Sequence, residues 1–270
     1  MAAEPSPFWA GVESCQTEIG GALFLLNLFS HTGLPCCFDE DFELSRHLSG
    51  WGLTELFGRA LLEPLCEAFV DDQLWAALAL LEGREPGAPL AAQFQCGDEY
   101  RIPTAWLTNF VPASDAWQIR TTADRLTLWR DAGGFPVVDL PLHGEPPDGM
   151  AANEVKSYRR RGFDARLSGR PHRPDQYESP GGLPPLERWR LWVFPFLRWL
   201  LKRALGAAAE TDEALARELL LKKGRLYCTR THVDLVMSLE EVSLPVRRAG
   251  LDANPGWSPD LMRVVTFHFE

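Results

Sequence analysis

The residues best suited to chemistry lie near the end of the chain. His232 and Asp234 are two apart in a stretch that reads as a strand, so their side chains share one face. His268 and Glu270 repeat that spacing in a second strand. If the two strands paired, two imidazoles and two carboxylates could converge. Such a set suits a divalent metal or acid–base work. The other reading is the polar, solvent-facing side of a sheet, with Thr229 and Thr231 as ordinary strand residues. We assign no catalytic, cofactor-binding or metal-binding residue on spacing alone, and expect a non-enzymatic protein without a cofactor.

A second group is basic. Lys156, Arg159, Arg160, Arg161, Arg166, Arg170 and Arg173 face one acid, Asp164, between Val155 and Arg173. Such a run could meet phosphates or an acidic protein surface. Tyr158, Phe163 and Tyr177 between them would offer stacking to bases. The alternative is a solvated arm. The net charge of −10 argues against a general nucleic-acid coat protein, so a nucleic-acid partner is not expected.

Familiar catalytic and nucleotide-binding patterns are missing: there is no Walker loop, GxGxxG, GxSxG, HExxH or EF-hand. Gly20-Gly21 and Gly133-Gly134 read as a close helix contact or a turn before a phosphate cradle. Cys15, Cys36, Cys37, Cys66, Cys96 and Cys228 form no CxxC and no zinc-knuckle spacing. They read as reduced thiols of a cytoplasmic protein, although an even count leaves disulfides open. Met1 to Ala10 lacks the basic and apolar regions of a signal peptide. The longest apolar runs, Ile19–Phe29 and Leu191–Leu201, fall well short of the ~20 residues of a membrane span.

The elements that would position these groups suggest an α+β fold in three sections. Residues 1–142 combine an N-terminal helical segment with a small antiparallel meander. Glu13 to about Glu82 reads as helical, with Gly33-Leu34-Pro35 stopping the first helix and Trp51, Leu53, Leu56, Phe57, Ala60 and Leu61 on one face of the next. Asp71–Leu81 is a third helix. A Pro-initiated helix at Thr104–Phe110 precedes three strands, Trp117–Thr122, Arg125–Arg130 and Phe135–Leu140. Residues 143–185 are rich in Pro, Gly and charge and read as a flexible basic linker. Residues 186–270 return to helices plus antiparallel strands, and could share a core with 1–142. Leu186–Leu205 carries Trp189, Trp192 and Trp199 on more than one face, which implies either deep burial or a docking face. Thr211 should cap the helix from Asp212. Strands follow at Arg225–Ser238 and Arg263–Glu270.

Two segments carry a resemblance. One is Thr17–Leu62, with TEIGGALFLLNLFSHTGLP and LSGWGLTELFGRALL. The other is THVDLVMSLEEVSLPVRRAGLDANPGWSPDLMRVVTFHFE at 231–270. Together they resemble uncharacterised proteins associated with bacterial extracellular contractile injection systems, which are phage-tail-like particles. The first is also distantly similar to the tape-measure family of those systems. The resemblance implies a component or assembly factor whose partners are other particle proteins, and brings no catalytic residues. A ruler role is not expected, because even a wholly helical chain would span only about 400 Å and this one is broken by 21 prolines and 22 glycines. Two other readings stay open: a peptide- or protein-binding module unrelated to such particles, and a metal-dependent enzyme using the His/Asp cluster.

Overall fold

Strand alternation and turn chemistry build the meander where the sequence predicts it, and a second sheet forms around the chain's last strands. The computed structural model describes residues 13–34, 36–38, 47–112, 114–121, 124–130, 133–142, 149–167 and 182–270. Met1–Ala10, Arg170, Arg173 and Tyr177 lie outside the described residues. The fold is α+β. The chain divides into two compact units, Met1–Gln93 with Leu201–Glu270, and Phe94–Leu200.

The first unit holds a five-stranded sheet in the order β1-β7-β8-β10-β9. Its strands are β1 (Glu13–Thr17), β7 (Gly224–Cys228), β8 (His232–Met237), β9 (Gly256–Ser258) and β10 (Arg263–Phe269). Alternation puts Leu226, Val233, Leu235, Val265 and Phe267 on one buried face. Glu13–Thr17, read as the start of a helix, is instead an edge strand paired antiparallel with β7. The chain leaves that strand where Asp72 accepts from Thr17 Oγ1 at 2.7 Å and from Glu18 N at 2.9 Å. The C-terminal strands were expected to be antiparallel. Arg225–Ser238, read as one strand, is instead two, β7 and β8, which pair antiparallel, and β10 runs parallel to β8. Residues 238–262 supply the crossover that parallel neighbours need.

Helices α1 (Leu25–Thr32), α2 (Gly50–Leu62), α3 (Gln73–Leu81), α7 (Asp212–Leu219) and the short α8 (Leu244–Arg248) complete this unit. Local chemistry explains their ends. Gly33 closes α1 at φ 73°, Ser49 caps α2 through Gly52 N, and Asp72 caps α3 through Leu74 N. Thr211 Oγ1 accepts from Ala214 N at 3.0 Å, as predicted. Phe24 meets Phe267 edge to face at 5.2 Å, and Phe29 meets Phe57 at 5.8 Å. Gly20-Gly21 is the close contact foreseen. Gly20 N donates to Lys222 O at 2.8 Å, and a Cβ on Gly21 would sit 1.9 Å from Leu219 O. Backbone on both sides leaves little room to yield, so Gly21→Ala should cost about 2–3 kcal/mol. Denaturant unfolding of the variant checks this.

The second unit carries the meander in a sheet ordered β2-β5-β4-β3-β6. The strands are β2 (Tyr100–Arg101), β3 (Ser114–Thr121), β4 (Arg125–Arg130), β5 (Phe135–Pro141) and β6 (Asp164–Leu167). The helices are α4 (Thr104–Phe110), α5 (Met150–Arg160) and residues up to 200 of α6 (Pro185–Leu205). Both α5 and β6 fall inside the stretch read as linker, where β6 adds to β3 in parallel. A helix among the described residues long and apolar enough to cross a membrane is absent. α6 runs through Pro195 as one continuous helix.

Candidate functional site

The parallel pairing of β8 and β10 decides what the four C-terminal residues can do. Its register sets His232 beside Val264 and His268 beside Val236. The two imidazoles therefore start about 13 Å apart along the strands, four residues at ~3.3 Å each. A register shifted by four residues would have been needed to bring them together. Asp234 and His268 do meet, with Nε2 to Oδ1 at 2.9 Å. His232 Nδ1 instead pairs with its neighbour Thr231 Oγ1 at 2.8 Å. Glu270 extends β10 through backbone bonds to Met237 and Leu239. Among the described residues, no group of three or more His, Cys, Asp or Glu could hold a metal ion. The Asp234–His268 pair lines neither of two clefts in this unit, of about 720 and 190 Å³. Its observed effect is to tie two parallel strands across the sheet.

The three tryptophans of α6 belong to an aromatic core. Trp189 and Trp192 are buried. Trp192 stacks on Tyr100 at 5.3 Å, Trp189 meets Phe94 at 5.9 Å, and Trp199 packs on Phe135 at 5.3 Å. Of the two readings of this helix, burial accounts for Trp189 and Trp192, while Trp199 is partly exposed.

An ionic network that sequence reading passed over lies on the same helix face. Asp139 is fully buried in β5. It accepts from Arg125 Nε at 2.6 Å, from Thr127 Oγ1 at 3.4 Å and from Trp192 Nε1 at 2.8 Å. Arg125 Nη2 also donates to Asp98 O at 2.7 Å. A carboxylate inside the apolar run FPVVDLP, with Arg and Thr alternating on the preceding strand, was the available signal. All three strand residues point to one face because Thr127 pairs with Asp139 and Arg125 with Pro141. The register then shifts between Leu128 and Trp129, and Arg130 lies over the rings of Phe135 and Trp199 at 5.4 and 4.8 Å.

Arg159, Arg160 and Arg161 are exposed at the end of α5, where positive charge complements the helix dipole. The stacking role considered for Tyr158 is not open to it. Its ring is buried against Trp117 at 5.0 Å, and its hydroxyl has no hydrogen-bond partner among the described residues. Burial, with Glu154 adding, pushes its ionisation up to about 12. The unfolded chain would lose this proton near ~10 and the folded one keeps it longer. Stability from Tyr158 is therefore full below about 10 and lost as pH rises through about 12. Tyrosinate absorbance and melting across that window should show the loss, and Tyr158→Phe should remove it.

A more promising surface lies on the β9–β10 hairpin. Val264 pairs with Trp257, and residues 259–262 form the turn. Leu261 is buried, and its carbonyl accepts from Trp51 Nε1 at 3.3 Å. Trp257 and Met262 on either side are 61% and 74% exposed. Met262 also holds a left-handed φ of 52°, a conformation that non-glycine residues adopt at a cost. One inward anchor thus fixes two outward apolar side chains. Asn27 Nδ2 steadies the preceding loop by donating to Leu251 O at 2.8 Å and Ala253 O at 2.7 Å. No family model, curated protein or solved structure matches the chain.

Proposed function

We propose that this chain is a non-enzymatic component or assembly factor of a bacterial contractile injection system, working in the cytoplasm through contacts with other proteins of the particle. One observation carries the reading beyond the resemblance itself. The two resembling segments, 17–62 and 231–270, lie in the same compact unit and pack on each other. Trp51 bonds Leu261, Asn27 bonds Leu251 and Ala253, and Phe24 packs on Phe267. Both segments therefore contribute to one core, and the second forms the hairpin that presents Trp257 and Met262.

An exposed tryptophan held by a rigid anchor is the kind of residue that dominates protein interfaces. We expect tagged protein to co-purify with sheath, tube or baseplate proteins. Trp257→Ala should weaken that association by about 2 kcal/mol, roughly 30-fold. Its own unfolding should move by no more than about 0.5 kcal/mol, because the ring is exposed. Quantitative pull-down and a melting curve measure the two effects. Particles that assemble normally in a deletion strain would remove an essential assembly role.

A further inference from the structure

The larger of these two clefts of the first unit, about 720 Å³, is lined by groups of two unlike kinds. One wall is a stripe of α3: Gln73, Ala76, Ala77 and Leu80 recur at spacings of three and four. The two alanines keep the space open where a larger side chain would fill it, and Leu80 is 54% exposed. The opposite wall is the sheet. Cys15 pairs with Leu226 across β1 and β7, and Cys228 follows two residues later, so all three share a face. Burial raises the ionisation of the Cys15 thiol, with Asp72 adding to it. The group lines the cleft as a neutral, apolar thiol.

Arg230 and Arg263 also line the cleft. Arg230 precedes β8 and Arg263 opens β10, and the parallel register places both at the same end of the sheet. Val264 N donating to Thr231 O at 2.9 Å fixes that juxtaposition. Neither guanidinium has a carboxylate partner among the described residues. Arg263 Nε is buried and has no acceptor among the described residues. The contrast within the unit is clear, since Arg84 is held between Glu55 and Glu82 at 2.5 Å each, and Arg59 and Arg217 each meet a glutamate. A buried donor without an acceptor is costly, and an incoming anion would relieve it with charge-assisted bonds.

We infer that this cleft binds a small anionic amphiphile, a fatty-acid-like carboxylate whose chain lies between α3 and the β1–β7 pair and whose head meets Arg230 and Arg263. The volume falls within the ~300–1,000 Å³ range of small-molecule sites. A mostly apolar wall with a few convergent polar groups is their usual make-up. The site is separate from the hairpin surface of the proposed function, so either can fail alone.

Sodium dodecanoate, titrated into the full chain below its micellar range, is the test probe. Calorimetry should show saturable one-to-one binding, and the melting temperature should rise as it saturates. Dodecanol, with the same chain and no charge, should bind at least about tenfold more weakly. Arg230→Gln with Arg263→Gln should erase that difference. Ala77→Phe should abolish binding while the melting temperature of the free protein holds. Absence of saturable binding, equal affinity for dodecanol, or wild-type affinity in the arginine variant would each overturn the assignment. So would a self-association lost in Ala77→Phe, which would put a second copy of the chain in the cleft.

Discussion

Asp139→Ala is expected to destabilise the second unit by about 3–5 kcal/mol, the largest effect of any single charge removal described above. The carboxylate is fully buried, and three donors converge on it. Removing it takes from the Arg125 guanidinium, 5% exposed, the carboxylate that its Nε meets, and from Trp192 Nε1 the acceptor it uses. The loss is mostly the cost of stranding those donors in a poorly solvated place rather than the strength of the pair itself. A paired replacement separates the two. Arg125→Met with Asp139→Leu removes donor and acceptor together and should recover most of the loss, because buried ion pairs often exchange for apolar groups with little penalty. A chain with two compact units need not unfold in one step. Amide hydrogen exchange is therefore the measurement, with protection expected to fall in β4, β5 and α6. A loss under about 1 kcal/mol for Asp139→Ala would mean that water reaches Arg125 after all.

Local chemistry was the legible part of this fold. Thr211, Gly33 and the Gly20-Gly21 pair act where their types predict, because a cap or a close approach depends on a few neighbouring atoms. The meander was equally readable, since period-two alternation between turn residues survives any tertiary arrangement. Glu13–Thr17 misled because a short polar strand has no period of its own. What makes it a strand is β7, more than two hundred residues later. The His/Asp cluster fell to the same limit. Spacing put the side chains on one face of each strand, but the crossover through α8 and β9 set the direction and register of pairing, and the register decided that Asp234 and His268 meet while His232 and His268 do not. The cleft was least legible. It is space left between α3 and the sheet by two alanines, and its arginines are notable only for carboxylates that other elements do not supply.

Trp51→Ala should cost the first unit about 3–5 kcal/mol, as truncation of a large buried aromatic does. The side chain is 2% exposed on α2, and its Nε1 donates to Leu261 O at 3.3 Å. That bond joins residues 210 apart in the chain. Its loss should therefore be felt beyond α2, at the hairpin turn that Leu261 anchors. Trp51→Phe keeps most of the apolar volume and removes only the donor and part of the ring, so about 1–2 kcal/mol is expected. Hydrogen exchange in β10 should rise in both variants, more in the first. These two changes also divide packing from recognition. Trp257→Ala should impair partner capture while leaving exchange in β10 unchanged, because Trp257 contributes surface and Leu261 contributes the anchor. Trp51→Phe should loosen the turn and weaken capture only in proportion. If Trp51→Ala left exchange in β10 at its original rate, the hairpin would be held by something other than Trp51. The link between the two resembling segments would then rest on other contacts, among them those of Asn27 and Phe24.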